Sequence, residues 1–192
     1  ALDAGLEVRQ PANFESPEIL EELRSWNADL MLLAYVIIFV PEQARNIPKN
    51  GTICFHPSLL PLHRGPSSIN WPIIWGAKQT GLTIFWPDDG LDEGDILLQK
   101  QIDILPDDTL GTLYFDKVFP AGVSATLEAI DLIRSGEAPK IRKTNLLSPS
   151  PLLQMCLPRG VIESNLRVAE APKSLILKYL ALRTPFFSKT FL

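Results

Sequence analysis

Apolar residues fall along this chain in short runs separated by polar, proline-containing and glycine-containing turns, and the spacing inside each run predicts an element. After Phe14, ESPEILEELRSW places Ser16 as an N-cap, Pro17 in the first helical turn, and Ile19, Leu20, Leu23 and Trp26 on one face. That predicts a short amphipathic helix. ADLMLLAYVIIFVP is too long an apolar run for one strand; it predicts a strand over residues 30–34 and then a loop through 36–40 that Pro41 ends. Continuous hydrophobicity fits a strand covered on both faces. A short helix from Pro41 and a strand in GTICF follow, so helix and strand alternate with brief links, the logic of a parallel sheet. Residues 68–76 predict another helix, and GLTIFWPDDGLDEGDILLQKQIDI reads as two strands joined by an acidic glycine loop, where the sheet turns mixed. Between an Asp108 cap and a Ser135-Gly136 stop, Leu110, Leu113, Tyr114, Val118, Val123, Leu127, Ile130 and Ile133 recur at helical spacing. They predict one long helix, kinked or divided at Pro120.

Composition narrows the class. The 192 residues are 46% hydrophobic with a net charge of -4, enough for one sizeable core. The acidic balance argues against a dedicated nucleic-acid binder, and no uncharged apolar run of about twenty residues is present to span a bilayer. Cys54 and Cys156 form no C-x-x-C pair, which suggests neither a disulfide framework nor a zinc site and points to a reducing, cytoplasmic setting. The opening ALDAGLEVRQP has no basic-then-apolar signal pattern, so the chain is expected to be cut rather than targeted. Charge divides unevenly, with six basic and two acidic residues in 144–192 (about +4) and about -8 on the remainder. In that basic segment prolines break the pattern, and a helix at 173–182 is the one element it predicts. Neither an internal repeat nor a G-x-G-x-x-G fingerprint is visible.

Two places could carry chemistry. A buried strand such as TICF has no packing need for a titrating group at its exit, yet His56 stands there, followed by a loop that Pro57 and Pro61 stiffen. A lone histidine is often a satisfied structural residue. The carboxyl end of a strand in an α/β sheet, however, is where catalytic groups sit. The second place is PDDGLDEGD, with Asp88, Asp89, Asp92, Glu93 and Asp95 in eight positions. Its spacing does not match an EF-hand, and solvated hairpin acids are the plain alternative. Gly90 and Gly94 bracket Asp92, and a partly buried carboxylate among like charges is suited to act as a base. Cys54 is a weak candidate nucleophile, since a cysteine inside a strand is usually inert. Trp71, Trp75 and Trp86 could stack on a planar ligand but equally belong to a core.

SLLPLHRGPSSINW followed by GLTIFWPDDGLDEGDILLQK resembles the folate-dependent formyltransferase and hydrolase superfamily, where S-L-L-P-x-x-R-G and G-L-D-x-G-D are joint signatures. FHPSLLPLHRG, INW, IFWPDDGLDEGDILLQK and ILPDDTLGTLY are most similar to the N-terminal hydrolase domains of 10-formyltetrahydrofolate dehydrogenases. The resemblance implies an α/β, Rossmann-like domain with a mostly parallel sheet over residues 1–143, lacking its first strand, and a tail over 144–192 outside the family, poorly ordered or helical. It implies that His56 is the catalytic histidine and Asp92 the essential aspartate, that Ile38, Phe39 and Val40 line the pterin pocket, and that Ser58, Arg64 and Gly65 belong to the substrate-binding signature loop. The family's third catalytic residue, an asparagine two positions before the histidine, is Cys54 here. An amide that hydrogen-bonds a developing oxyanion is thus replaced by a weakly donating thiol. The dehydrogenases' hydrolase domain also lacks that asparagine, so the departure favours hydrolysis over transfer. The implied chemistry is cleavage of 10-formyltetrahydrofolate to tetrahydrofolate and formate in a cytoplasmic setting. His56, if protonated, would donate to the oxyanion while Asp92 takes the water proton. No metal and no NADP are expected in this chain, the expected partner is a small-molecule folate rather than a membrane or nucleic acid, and a homo-oligomer stays open. Formyl transfer to an amine such as methionyl-tRNA, or an inactive truncated fragment, are the alternatives.

Overall fold

Local capping sets the first element of the computed structural model, which describes residue 3 and residues 5–143. The Ser16 hydroxyl accepts from Ile19 N–H at 3.4 Å, starting α1 (Pro17–Ser25), whose Leu20 and Leu23 are buried. The next strand, β1 (Met31–Leu33), is shorter than its apolar run. Tyr35, just beyond it, takes a φ of 58°, a left-handed conformation that no strand continues through. Then come α2 (Glu42–Arg45), β2 (Thr52–His56), α3 (Asn70–Ile74), β3 (Gln79–Phe85) and β4 (Ile96–Asp103). The sheet order is β1-β2-β3-β4. β1 and β2 are parallel, whereas β2–β3 and β3–β4 are antiparallel. The fold is the expected α/β class, parallel at its first pair and mixed from β3 onward. Sequence positions 173–182, where a helix was expected, lie outside the described residues.

Alternation along β2 sends its side chains to two layers. Ile53 and Phe55 join Leu82, Ile84 and Leu97 under Ala125 and Ala129 of α4 (Phe119–Ser135). Cys54 points the other way, toward Leu20, Leu23, Leu33, Val40 and Ala44 beneath α1 and α2. The sheet is therefore covered on both faces, as its apolar strands require.

The long C-terminal helix is divided at its proline, as the sequence suggests, by a π-helical stretch (Thr112–Val118) leading into α4. Pro120 offers no N–H and its ring crowds the carbonyl four residues back; a wider turn just before it relieves that crowding. The wider turn also rotates the buried face. Leu113, Tyr114 and Val118 are buried, and then Gly122, Ala125 and Ala129, while Val123 and Leu127 face outward. Gly122 is where the helix meets Phe55, since a Cβ there would lie 2.7 Å from that ring. Among the described residues, no helix is long and apolar enough to cross a membrane.

Candidate active site

β2 ends on His56, and the loop that follows is clamped to the sheet by polar side chains inside β3 and β4. Thr83, opposite His56 in register, donates its hydroxyl to the Ser58 carbonyl at 2.7 Å and accepts from Leu60 N–H at 3.1 Å and Gln99 Nε2 at 2.9 Å. Gln99 Nε2 also donates to the Leu60 carbonyl at 2.8 Å, and Ser58 Oγ donates to the Leu62 carbonyl at 2.6 Å. The Leu60–Pro61 peptide is cis. The loop so held brings the His63 carbonyl to 2.8 Å from His56 Nε2.

That contact assigns the tautomer. A carbonyl only accepts, so Nε2 carries the hydrogen and Nδ1 is left with its lone pair. Nδ1 faces Asp92 Oδ2 at 3.5 Å. Burial pushes the His56 imidazole below its ordinary pKa of 6.5; the Asp92 charge and the His63 carbonyl pull the other way, and the Lys143 charge adds to the lowering. His56 is therefore neutral at neutral pH.

Asp92 is presented by the loop between β3 and β4 with a φ of 50°, unusual for a residue with a side chain. Its Oδ2 accepts from Gly65 N–H at 2.7 Å, and its backbone carbonyl accepts from Lys143 Nζ. Gly65, at a φ of +75°, sits in the left-handed region that favours glycine, and a Cβ there would lie 3.3 Å from the Leu91 side chain. Of the other acids of this loop, Asp88, Asp89 and Glu93 are exposed, and two of these carry cationic partners. Asp89 receives Arg45 Nη2 at 2.7 Å, and Glu93 receives Arg64 Nη1 at 3.0 Å. Three cations from three segments thus hold one loop. Among the described residues, no group of three or more His, Cys, Asp or Glu is placed to hold a metal ion.

The remaining predicted positions separate. Ile38 and Phe39 are exposed, whereas Val40 is buried and its carbonyl accepts from Arg45 Nη1 at 2.7 Å. The same guanidinium carbon lies 5.9 Å from the Phe39 ring centroid, so Arg45 ties the 38–40 loop to the acidic loop. Ser58 is fully buried and shapes the loop from within. Cys54 packs against Leu60, Phe85 and Ile96, with Sγ donating to the Phe55 carbonyl at 3.7 Å. Burial, helped by the Asp92 charge, pushes its thiol up to about 12, which removes it as a nucleophile near neutrality. Trp71 stacks on Trp75 with ring centroids 5.4 Å apart, and the His63 ring lies 5.4 Å from that of Trp75. Trp86 donates its indole N–H to the Pro139 carbonyl at 3.0 Å and packs on the main core. Sequence reasoning missed Arg45, Thr83, Gln99 and Lys143; a polar Thr83 between the apolar Leu82 and Ile84 was the one signal available. A separate groove of about 300 Å³, bounded by Val8, Phe14, Ile19 and Trp26, lies against α1 and includes none of the predicted site residues.

The formyl transferase family matches residues 3–130 of this chain. The cytosolic 10-formyltetrahydrofolate dehydrogenase of Xenopus laevis is 48% identical over 127 residues, which is 66% of this chain and 14% of that protein. A methionyl-tRNA formyltransferase of Syntrophus aciditrophicus (strain SB) is 38% identical over 148 residues, 77% of this chain and 47% of that one. Among solved structures, glycinamide ribonucleotide transformylase 1 from Symbiobacterium toebii superposes with a TM-score of 0.63 at 28% identity, covering 70% of this chain and 66% of that chain. The chain thus spans about a seventh of the length of the dehydrogenases it matches.

Proposed function

Because this chain belongs to the formyl transferase family, we propose that its domain, residues 1–143, hydrolyses 10-formyltetrahydrofolate to tetrahydrofolate and formate in a cytoplasmic setting. The observation that carries the reading is the apposition of a neutral His56 Nδ1 and Asp92 Oδ2 at 3.5 Å, at the exit of β2. The N10-formyl group is an amide-like carbonyl, and addition of water to its carbon makes a tetrahedral oxyanion. His56 enters this reaction without a proton on Nδ1, contrary to the expectation that it starts as the acid. Its lone pair takes a proton from the attacking water, and the imidazolium that forms is stabilised by the adjacent carboxylate. The same proton passes to the amine nitrogen as the C–N bond breaks, leaving the free amine and formic acid, which releases its proton to solvent as formate. The His63 carbonyl orients the imidazole through Nε2–H, and Asp92 orients the water while Gly65 N–H holds its Oδ2. Ile38, Phe39 and Val40 border the pterin, and Ser58 and Arg64 contribute through the loop they shape. Cys54, protonated and packed in the core, offers at most a weak donor to that oxyanion.

Formyl transfer to an amine is the second reading, supported by the 38% identity to a methionyl-tRNA formyltransferase. Formate release from 10-formyltetrahydrofolate by the purified chain, with and without an amine acceptor, separates the two. Hydrolysis predicts formate without acceptor. His56→Ala and Asp92→Ala should each lower that rate by about a hundredfold or more. Near-normal turnover in both variants would overturn the assignment.

A further inference from the structure

Lys143 belongs to no motif and is separated by 51 residues from the aspartate it touches, yet it is one of the few charged side chains buried among the described residues. Its Nζ donates to the Asp92 carbonyl and lies 4.7 Å from the Phe85 ring centroid. The segment that carries it is pinned to β4: Ile141 and Ile96 exchange two backbone hydrogen bonds, each 2.9 Å. The ammonium is thereby anchored at both ends, by its chain and by its acceptor.

Asp92 needs such an anchor. Its left-handed backbone is disfavoured for a residue with a side chain, and the direction of its carboxylate depends on that conformation. We propose that Lys143 is a positioning residue of the site, its ammonium holding the Asp92 carbonyl so that the carboxylate stays against Gly65 N–H and opposite His56 Nδ1. This inference rests on the hydrolase reading for its kinetic consequence, though not for its geometry. Lys143 is surrounded by Arg64, which disfavours its charge, and by Asp92, Asp88 and Glu93, which favour it. Its own charge in turn opposes protonation of His56.

Lys143→Met keeps the aliphatic stem over Phe85 and removes the donor and the charge. In that variant kcat for formate release should fall between about tenfold and a hundredfold, with KM within about twofold, the pattern of misplaced catalytic groups rather than lost substrate contacts. The Gly65 amide reports the carboxylate directly, because its N–H donates to Asp92 Oδ2 at 2.7 Å; in Lys143→Met its NMR signal should move upfield and its exchange with solvent quicken. Lys143→Arg, which restores donor and charge, should return that signal toward the wild-type position and recover part of kcat. Unchanged kcat with an unchanged Gly65 amide in Lys143→Met overturns the proposal, as does a rise in KM alone. If the wild-type chain releases no formate, the hydrolase reading fails by itself; an unmoved Gly65 amide would then still overturn the positioning role. Should Lys143→Met not fold, Lys143→Gln, without the charge, is read by the same amide.

Discussion

Two residues apart on β2, Cys54 and His56 meet the same loss of solvent with opposite consequences for the proton. Desolvation disfavours the charged form, so the thiol keeps its proton and the imidazole gives its proton up. Both side chains are neutral at the pH where the site works, and the one with an accessible lone pair is the histidine. A thiol held near 12 has very little thiolate at pH 8, and iodoacetamide reacts with thiolate. Cys54 in the folded chain should therefore be alkylated at least about a hundredfold more slowly than in denatured chain, read peptide by peptide so that Cys156 is scored separately. Equal rates would show that the pocket around Cys54 opens freely. At this scale the sequence carried His56 and Asp92, because a titrating residue at a strand exit and a glycine-bracketed acid are local signals. It did not carry the charge state of His56, which depends on the His63 carbonyl and on burial, nor Lys143, whose partner is set by tertiary packing.

The acidic loop shows what an element-level reading can and cannot see. Two strands joined by a glycine-containing turn were legible from alternation and turn residues. The partners of its acids were not, since Arg45, Arg64 and Lys143 arrive from segments 44, 29 and 51 residues away. The same limit applies to α4, where a 3.6-residue period carried through the π-helical stretch turns Val123 and Leu127 to the wrong side. The loop's two glycines are also unlike each other. A Cβ on Gly94 would lie 1.7 Å from the Trp86 carbonyl oxygen, in the backbone at the base of the loop, where Trp86 N–H donates to the Asp95 carbonyl at 2.8 Å. A Cβ on Gly90 would lie 2.7 Å from the Glu93 carboxyl carbon and 2.8 Å from the Glu93 Cβ; the carboxyl group can turn aside, whereas the Cβ clears only by a small shift of the exposed loop backbone. Gly94→Ala should thus cost about 2–4 kcal/mol by denaturant unfolding, and Gly90→Ala less, about 0.5–1.5 kcal/mol. Similar losses in the two variants would mean that the base of the loop yields.

At the scale of the whole molecule, the α/β class and the layering were legible because continuous apolar strands need covering on both faces, while the antiparallel return of β3 against β2 depends on a loop path that no local pattern encodes. The groups that fold and site share make stability depend on pH in a stated direction. Burial holds His56 below its ordinary pKa, and holds His63 below it too, with the charge of His56 as a second cause. An unfolded chain binds protons on both near pH 6.5, whereas the folded chain binds them at lower pH, so between those values the unfolded state carries more protons. This contribution is fully present above about pH 6.5 and is lost as the pH falls through 6.5 toward the folded values, by at most about 1.4 kcal/mol per pH unit for each histidine. Lys143, lowered from 10.5 to about 8 mainly by burial, adds a second rise: between those two values the unfolded state again holds the extra proton, and stability increases with pH. Guanidinium unfolding from pH 5.5 to 9 should accordingly show two ascending limbs; above pH 9 the second is offset by Cys54, whose thiol keeps its proton in the folded chain and loses it in the unfolded one. His63→Asn, whose side chain tolerates the φ of 53° at that position, should shallow the acid limb without abolishing it, because His56 remains. Lys143→Met should flatten the alkaline limb and shallow the acid limb slightly, because the Lys143 charge is one cause of the lowered His56 pKa. An acid limb unchanged by His63→Asn, or an alkaline limb unchanged by Lys143→Met, would place those proton equilibria elsewhere in the molecule.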